Sequence, residues 1–94
     1  MPTHKEDALF LRQWKRLNPD QQRQFLAALV IFKQGLRDRR FAQSLRVKDY
    51  HSIEGAYEMT WASDGRAIFR YGDEIHPGEP HIIWLRSGTH DIFD

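Results

Sequence analysis

The sequence contains no cysteine, only four prolines and no apolar stretch long enough to cross a bilayer. Without cysteine the chain has no disulfide, no thiolate zinc site and no thiol nucleophile. The longest apolar stretch, Leu26 to Phe32, is far shorter than the roughly 20 residues that a transmembrane helix needs. No charged start followed by a long apolar run is visible, so we expect no signal peptide, no membrane association and a cytoplasmic location.

Composition predicts one globular domain that spans residues 1–94, because 40% of the residues are hydrophobic and 29% are charged. Charge is distributed unevenly along the chain. Residues 1–40 hold nine Lys and Arg against four Asp and Glu, whereas residues 41–94 hold five against nine. The basic half hints at a polyanionic partner, and the acidic half argues against a broad nucleic-acid surface.

Two helices are predicted in the first 40 residues. The first covers about residues 5–17, and residues 3–5 could form a brief strand at its start. Asn18, Pro19 and Gln21 form an N-terminal signal with an Asn-x-x-Gln capping box, so the second helix begins there and runs to about residue 37. The short connection predicts an antiparallel helical hairpin. The apolar residues at helical spacing are Phe10, Trp14, Leu17, Phe25, Leu29, Phe32 and Leu36, widened by Leu26 and Val30.

Strands are predicted in the remainder. A short strand could start near Leu45, residues 57–61 alternate with period two, and residues 66–71 return after a hairpin turn in which Gly65 takes a positive φ. A loop rich in Gly and Pro precedes a third strand at residues 81–86, which Gly88 ends. The strand residues expected in the core are Met59, Trp61, Phe69, Ile82, Ile83, Trp84 and Leu85.

Helices followed by hairpin-linked strands predict an α+β fold. In this fold the N-terminal helical hairpin packs on one face of a three- to four-stranded antiparallel sheet. The other face is then open to solvent or to a partner.

Three segments of the C-terminal half are similar to one toxin superfamily. They are Glu58-Met59-Thr60-Trp61-Ala62-Ser63-Asp64-Gly65-Arg66-Ala67, Ile82-Ile83-Trp84 and Gly88-Thr89-His90-Asp91-Ile92-Phe93. The chain resembles RelE/ParE toxins of type II toxin–antitoxin systems, most closely the YafQ-like branch with its terminal Gly-Thr-His motif and following aromatic residue. The order of helical hairpin and sheet agrees with that resemblance.

The resemblance implies a ribosome-dependent mRNA endoribonuclease that uses neither metal nor cofactor. In that reaction the ribose 2′-hydroxyl attacks the adjacent phosphate and the 5′-oxygen leaves. By the resemblance, His90 is the general acid, Arg66 holds the phosphate and Phe93 stacks on a base. Residue type alone adds Lys48, Arg46 and Arg86 as phosphate contacts, with Lys48 or His51 as the base.

Each of these assignments has a structural alternative. His90 could be an ordinary surface histidine, and Arg66 a solvated residue at a strand edge. Asp91 and Asp94 flank the proposed acid and would oppose RNA at close range. A ParE-like toxin that inhibits a topoisomerase, or a catalytically inactive toxin-like binding domain, therefore remains an alternative function.

The implied partners are a cognate antitoxin, the ribosome and mRNA. Disordered antitoxin segments can wrap large surfaces, and the helical hairpin or the sheet margin offers an apolar surface for one. Nothing in the sequence demands a homodimer, so we expect a monomer when the antitoxin is absent.

Overall fold

The structure, a computed structural model, describes residues 2–89. Two helices pack on one face of a sheet, and the strand order across it is β1-β5-β4-β3-β2. No helix in this part of the chain is long and apolar enough to span a membrane. In chain order the elements are β1 (Thr3–Glu6), α1 (Ala8–Arg16), α2 (Pro19–Gly35), a 3-10 turn (Gln43–Leu45), β2 (Lys48–Tyr50), β3 (Ala56–Ala62), β4 (Gly65–Tyr71) and β5 (His81–Thr89).

The predicted α+β class is confirmed, but the sheet has five strands rather than three or four and is mixed rather than antiparallel. The additional strand is β1, which runs parallel to β5 at the edge of the sheet. Thr3 N donates a hydrogen bond to Pro80 O at 2.9 Å, and Asp7 N donates one to Trp84 O at 2.9 Å. Because residues 3–6 are extended in the sheet, α1 begins at Ala8 rather than near residue 5.

The predicted capping box at the start of α2 is present. Gln21 N donates to Asn18 Oδ1 at 2.8 Å, and Asn18 N donates to Gln21 Oε1 at 2.9 Å. Pro19 occupies the first helical position, where its missing N–H costs no helical hydrogen bond. This local exchange of hydrogen bonds fixes where the chain turns from α1 into α2.

The core lies between the helices and the sheet, with α1 over β5 and α2 over β3. Most predicted core residues are buried or packed against the buried cluster. Ile83 was expected in the core but is not buried there. Ile82 and Trp84 point to the helices, so Ile83 between them points to the other face of the sheet. Leu85 is likewise only partly buried, at a β-bulge. On α2, Leu26 and Val30 are exposed rather than part of the buried stripe.

The β3–β4 hairpin needs a glycine for a different reason from the predicted one. In the described chain the glycines with positive φ are Gly55 and Gly78, so Gly65 does not adopt that conformation. A Cβ at Gly65 would instead overlap the indole of Trp61. That indole is held in place because Trp61 Nε1 donates to Arg66 O at 2.9 Å.

The last strand is longer than predicted. β5 continues through Thr89, and Gly88 pairs with Arg66 of β4 instead of ending the strand. The expected turn at Gly88 is therefore wrong. On the opposite edge, Leu45 is a buried residue of the 3-10 turn, and the strand begins only at Lys48.

Candidate functional site

Alternate residues of the strands point away from the helices and form what we call the outer face. Cross-strand partners share a face, so the pairing register arranges the outward residues in rows that run across the sheet. Rows are about 6.6 Å apart, since each is two residues further along a strand. The rows are Thr60-Arg66-Gly88, then Lys48-Glu58-Ile68-Arg86, then Tyr50-Ala56-Arg70-Ile83-Lys5.

The outer face is basic although the C-terminal half of the sequence is net acidic. Among the outward strand positions that the structure describes, Glu58 is the one carboxylate. The described acidic residues of that half otherwise lie in loops and turns or, for Asp49, on the opposite side of β2. The sheet therefore places its positive charges on one face. The net charge of each half of the sequence does not reveal this separation. The cations of the outer face are Lys5, Lys48, Arg66, Arg70 and Arg86.

Glu58 lies at the centre of this face between two cations. Its Oε2 is 3.7 Å from Lys48 Nζ and 3.9 Å from Arg66 Nε, too far for either contact to be a hydrogen bond. The Glu58 side chain is only 13% exposed, whereas that of Lys48 is 68% exposed. Ile68 of β4, which is the cross-strand partner of Glu58, is fully buried. The carboxylate is thus sheltered from bulk water between two positive charges.

Arg66 is fixed in position by its own hairpin. Its Nη1 donates to the backbone oxygen of Gly65 at 2.9 Å, with longer contacts to the oxygens of Ala62 at 3.3 Å and Ser63 at 3.4 Å. The side chain is 16% exposed. The guanidinium therefore braces the turn and faces Glu58 at the same time, which leaves this side chain little freedom to reorganise.

The structure brings three of the predicted site residues to one face. Lys48 and Arg86 lie in the same row, on opposite sides of Glu58 and Ile68, and Arg66 lies in the adjacent row. Arg46 is separate: it is exposed, has a left-handed backbone at φ 47° and ends the 3-10 turn. It shares with Arg66 the wall of an open groove between α2 and the β3–β4 hairpin.

No protein-family model and no curated protein matches the sequence. Solved structures match it in fold. The YafQ structure from Escherichia coli has a TM-score of 0.66 at 12% identity, with 99% of this chain and 98% of that one covered. A chain of the E. coli DinJ–YafQ toxin–antitoxin complex has a TM-score of 0.67 at 13% identity, with 97% and 94% covered. A chain of the intact E. coli RelBE toxin–antitoxin complex has a TM-score of 0.62 at 14% identity, with 95% and 96% covered.

The chain has the RelE/YafQ-type toxin fold. The resemblance read from the C-terminal motifs is confirmed at the level of fold, over nearly the whole length of both chains. At these identities the likeness shows the fold alone, and it assigns no role to any residue of this chain.

Two residues of the predicted site, His90 and Phe93, lie outside the described residues. The last described residue of β5 is Thr89, which pairs with Gly65, next to the pair of Arg66 and Gly88. His51, the alternative base, follows β2 at the far end of the sheet. It is five residues beyond the level of Arg66, or about 16 Å along the strand, so the structure does not bring it to this site.

A second basic feature lies on the helix side of the RelE-type sheet. The guanidinium carbon of Arg39 sits 3.9 Å from the centroid of the Tyr71 ring, a cation–π contact. Arg39 reaches it from a left-handed backbone conformation, φ 54°. Burial raises the pKa of the Tyr71 phenol, nearby Arg39 opposes that rise, and Tyr57 adds to it. This contact closes the core and does not face the row of Lys48 and Arg86.

Glu58 is the residue of the candidate site to which sequence reasoning assigned no direct role in the reaction. The alternation of residues 57–61 was a usable signal, because it puts Glu58 on the face opposite Met59. Its closeness to Lys48 was not predictable in the same way. That pairing depends on the register of β2 against β3. β2 has only three residues, too few for a hydrophobic pattern that would fix this register.

Proposed function

We propose that this chain is the toxin of a type II toxin–antitoxin system and that it cleaves mRNA on the ribosome without a metal ion. The observation that carries the proposal is the basic outer face. Lys48 and Arg66 flank a sheltered carboxylate there and Arg86 lies in the same row as Lys48, on the fold of structures named as YafQ and RelBE. Such a face suits a phosphodiester, whose negative charge increases as the phosphorane forms.

Each proposed residue has a definite task. Arg66, already braced by the hairpin carbonyls, stabilises the phosphorane charge, and Lys48 and Arg86 bind phosphates on either side. Arg46 and Arg66 line the same groove, and Arg46 contacts the RNA backbone where the RNA leaves the outer face through that groove. His90 protonates the leaving 5′-oxygen and Phe93 stacks on a base. The target fixes the compartment as the cytoplasm.

A cognate antitoxin is the second proposed partner. An apolar groove runs between β1 and the helical hairpin, with Leu11, Leu26 and Leu29 among its lining residues. Leu26 and Val30 of α2 are exposed. An antitoxin segment that places apolar side chains there would remove them and the apolar lining of the groove from water. Two of the similar structures are themselves toxin–antitoxin complexes.

Translation of a reporter mRNA in a cell-free extract tests the proposal, with primer extension to find the cut sites. The parent chain should cut translated mRNA and leave untranslated mRNA intact. His90→Ala should reduce the rate by roughly 10²–10⁴-fold, the usual loss for one acid–base group. His90→Gln should be nearly as slow, because an amide does not transfer a proton at useful pH. His76→Gln, at an exposed loop position, is the matched control and should cut at the parent rate.

A parent chain that never cuts translated mRNA would overturn the endoribonuclease proposal. The alternatives are then separated by one further assay. Inhibition of DNA supercoiling with translation intact would assign a ParE-like topoisomerase inhibitor, and antitoxin binding with neither effect would assign an inactive binding domain.

A further inference from the structure

Among the described outward positions the outer face contains one carboxylate, and the proposed reaction has not yet used it. Glu58 projects from the middle of β3, between Lys48 of β2 and Arg66 of β4, and Arg86 of β5 lies across Ile68 in the same row. An isolated carboxylate on an RNA-binding face would repel phosphate. Glu58 instead lies between two cations, with Oε2 at 3.7 Å from Lys48 Nζ and 3.9 Å from Arg66 Nε, where a phosphate bound by those cations would come close to it.

We infer that Glu58 is the general base that removes the proton from the attacking ribose 2′-hydroxyl. This inference rests on the proposed endoribonuclease function and names the acceptor that function requires. A phosphate held by Arg66 and Lys48 sits beside both cations. The 2′-hydroxyl next to it is then brought toward the carboxylate that lies between them, within the reach that general-base catalysis needs.

The step balances without any further reactant. The 2′-O–H bond breaks, its proton passes to the Glu58 carboxylate, and the 2′-oxygen forms a bond to phosphorus. The P–O5′ bond then breaks, and the 5′-oxygen takes a proton from the general acid, for which we have proposed His90. The products are a 2′,3′-cyclic phosphate and a 5′-hydroxyl end, and solvent restores both side chains.

Glu58 fits this task better than its neighbour Lys48. A carboxylate accepts a proton as it stands, with lone pairs available on both oxygens, whereas a lysine ammonium has three donors and no acceptor. The burial of the two groups also differs. Glu58 is 13% exposed and Lys48 is 68% exposed, so the carboxylate is the more sheltered from water and keeps a more fixed position. Lys48 is then free for phosphate binding.

The experiment compares Glu58→Gln and Glu58→Asp with the parent in the translated-mRNA assay. Glu58→Gln should cleave roughly 10²–10⁴-fold more slowly, since no base remains to accept the proton. Glu58→Asp keeps a carboxylate, so it should be slower than the parent and faster than Glu58→Gln. Binding to a 2′-O-methyl RNA, which cannot be cleaved, should be unchanged or tighter in Glu58→Gln because a negative charge is gone.

Glu54→Gln is the matched control, because Glu54 is an exposed loop residue and the change is the same. Thermal unfolding of each variant separates lost catalysis from lost folding. A Glu58→Gln protein that cleaves at the parent rate overturns the base assignment and leaves the proposed function standing. If Glu58→Gln folds poorly, Glu58→Asp decides, and a folded Glu58→Asp protein that cleaves at the parent rate or shows no cleavage at all also overturns the assignment. A parent that does not cleave overturns both proposals together.

Discussion

The two faces of the sheet are built from the same strands, yet they differ in almost every physical property. On the inner face, Phe69 contacts five other aromatic rings, at centroid distances between 4.9 and 6.4 Å: those of Phe32, Phe41, Tyr57, Tyr71 and Trp84. One residue further along β4, Arg70 is exposed on the outer face. The inner face is therefore packed for stability, and the outer face presents charge.

This contrast shows why totals of charge along the chain mislead in a sheet protein. Successive side chains of a strand point to opposite faces of the sheet, so one strand can be basic on one face and apolar on the other. β4 carries Arg66 and Arg70 outward and Ala67 and Phe69 inward. The unit that meets a partner is the face, and its charge depends on the register between strands.

Phe69→Ala and Arg70→Ala should separate the two faces most strongly. Phe69 is fully buried, so its truncation should lower the free energy of unfolding by about 3–5 kcal/mol through lost burial and a residual cavity. The neighbouring Arg70→Ala should stay within about 0.5 kcal/mol, as exposed substitutions usually do. Chemical denaturation of both proteins measures the difference. Equal losses would show that the outer face also contributes to the packed core.

Local signals in the sequence were sufficient for the helices. The capping box at Asn18 depends on two residues three positions apart, and it placed the start of α2 correctly. Long-range pairing was not predictable in this way. β1 is a four-residue strand whose partner begins at His81, and nothing in its local pattern indicates a parallel neighbour so distant in sequence.

The candidate site shows the same division. Lys48, Arg66 and Arg86 were selected by residue type or by resemblance, and the pairing register brings them to one face. Ile83 was misplaced because a continuous apolar run from Ile82 to Leu85 hides the alternation that separates the two faces. The position of Glu58 between Lys48 and Arg66 could be recognised only once the strand register was known.

Arg86→Gln tests whether the outer face binds RNA, and its expected effect is smaller. If Arg86 binds a phosphate, its loss removes a charge-assisted hydrogen bond worth about 1.5–3 kcal/mol, or roughly 10- to 150-fold in affinity for RNA. Stability should change little. Fluorescence anisotropy with a 2′-O-methyl RNA at several salt concentrations measures the effect, and the salt slope should fall by about 0.7–0.9. Arg12→Gln, exposed on α1, is the control. An unchanged slope in Arg86→Gln would remove Arg86 from the RNA contact.

The smallest expected effect concerns Tyr71, where the inner face meets the loop after α2. Burial holds the pKa of its phenol above the ordinary value of 10.0, and the Arg39 cation over the ring opposes that rise. Arg39→Met keeps an unbranched side chain over the ring but removes the charge, so the pKa of Tyr71 should rise further. Phenolate absorbance followed against pH measures this, with Tyr71→Phe to assign the signal and Arg40→Met as the control.

The same shift fixes the direction of an effect on alkaline stability. A folded-state pKa above the unfolded value favours the neutral phenol in the folded protein. That contribution is fully present below the unfolded pKa and is lost as pH rises through the folded pKa. The parent should therefore lose stability in that alkaline window relative to Tyr71→Phe, which has no phenol to titrate, and Arg39→Met should extend the window upward. A pKa of Tyr71 that falls in Arg39→Met would mean that Arg39 acts on the ring through burial rather than through its charge.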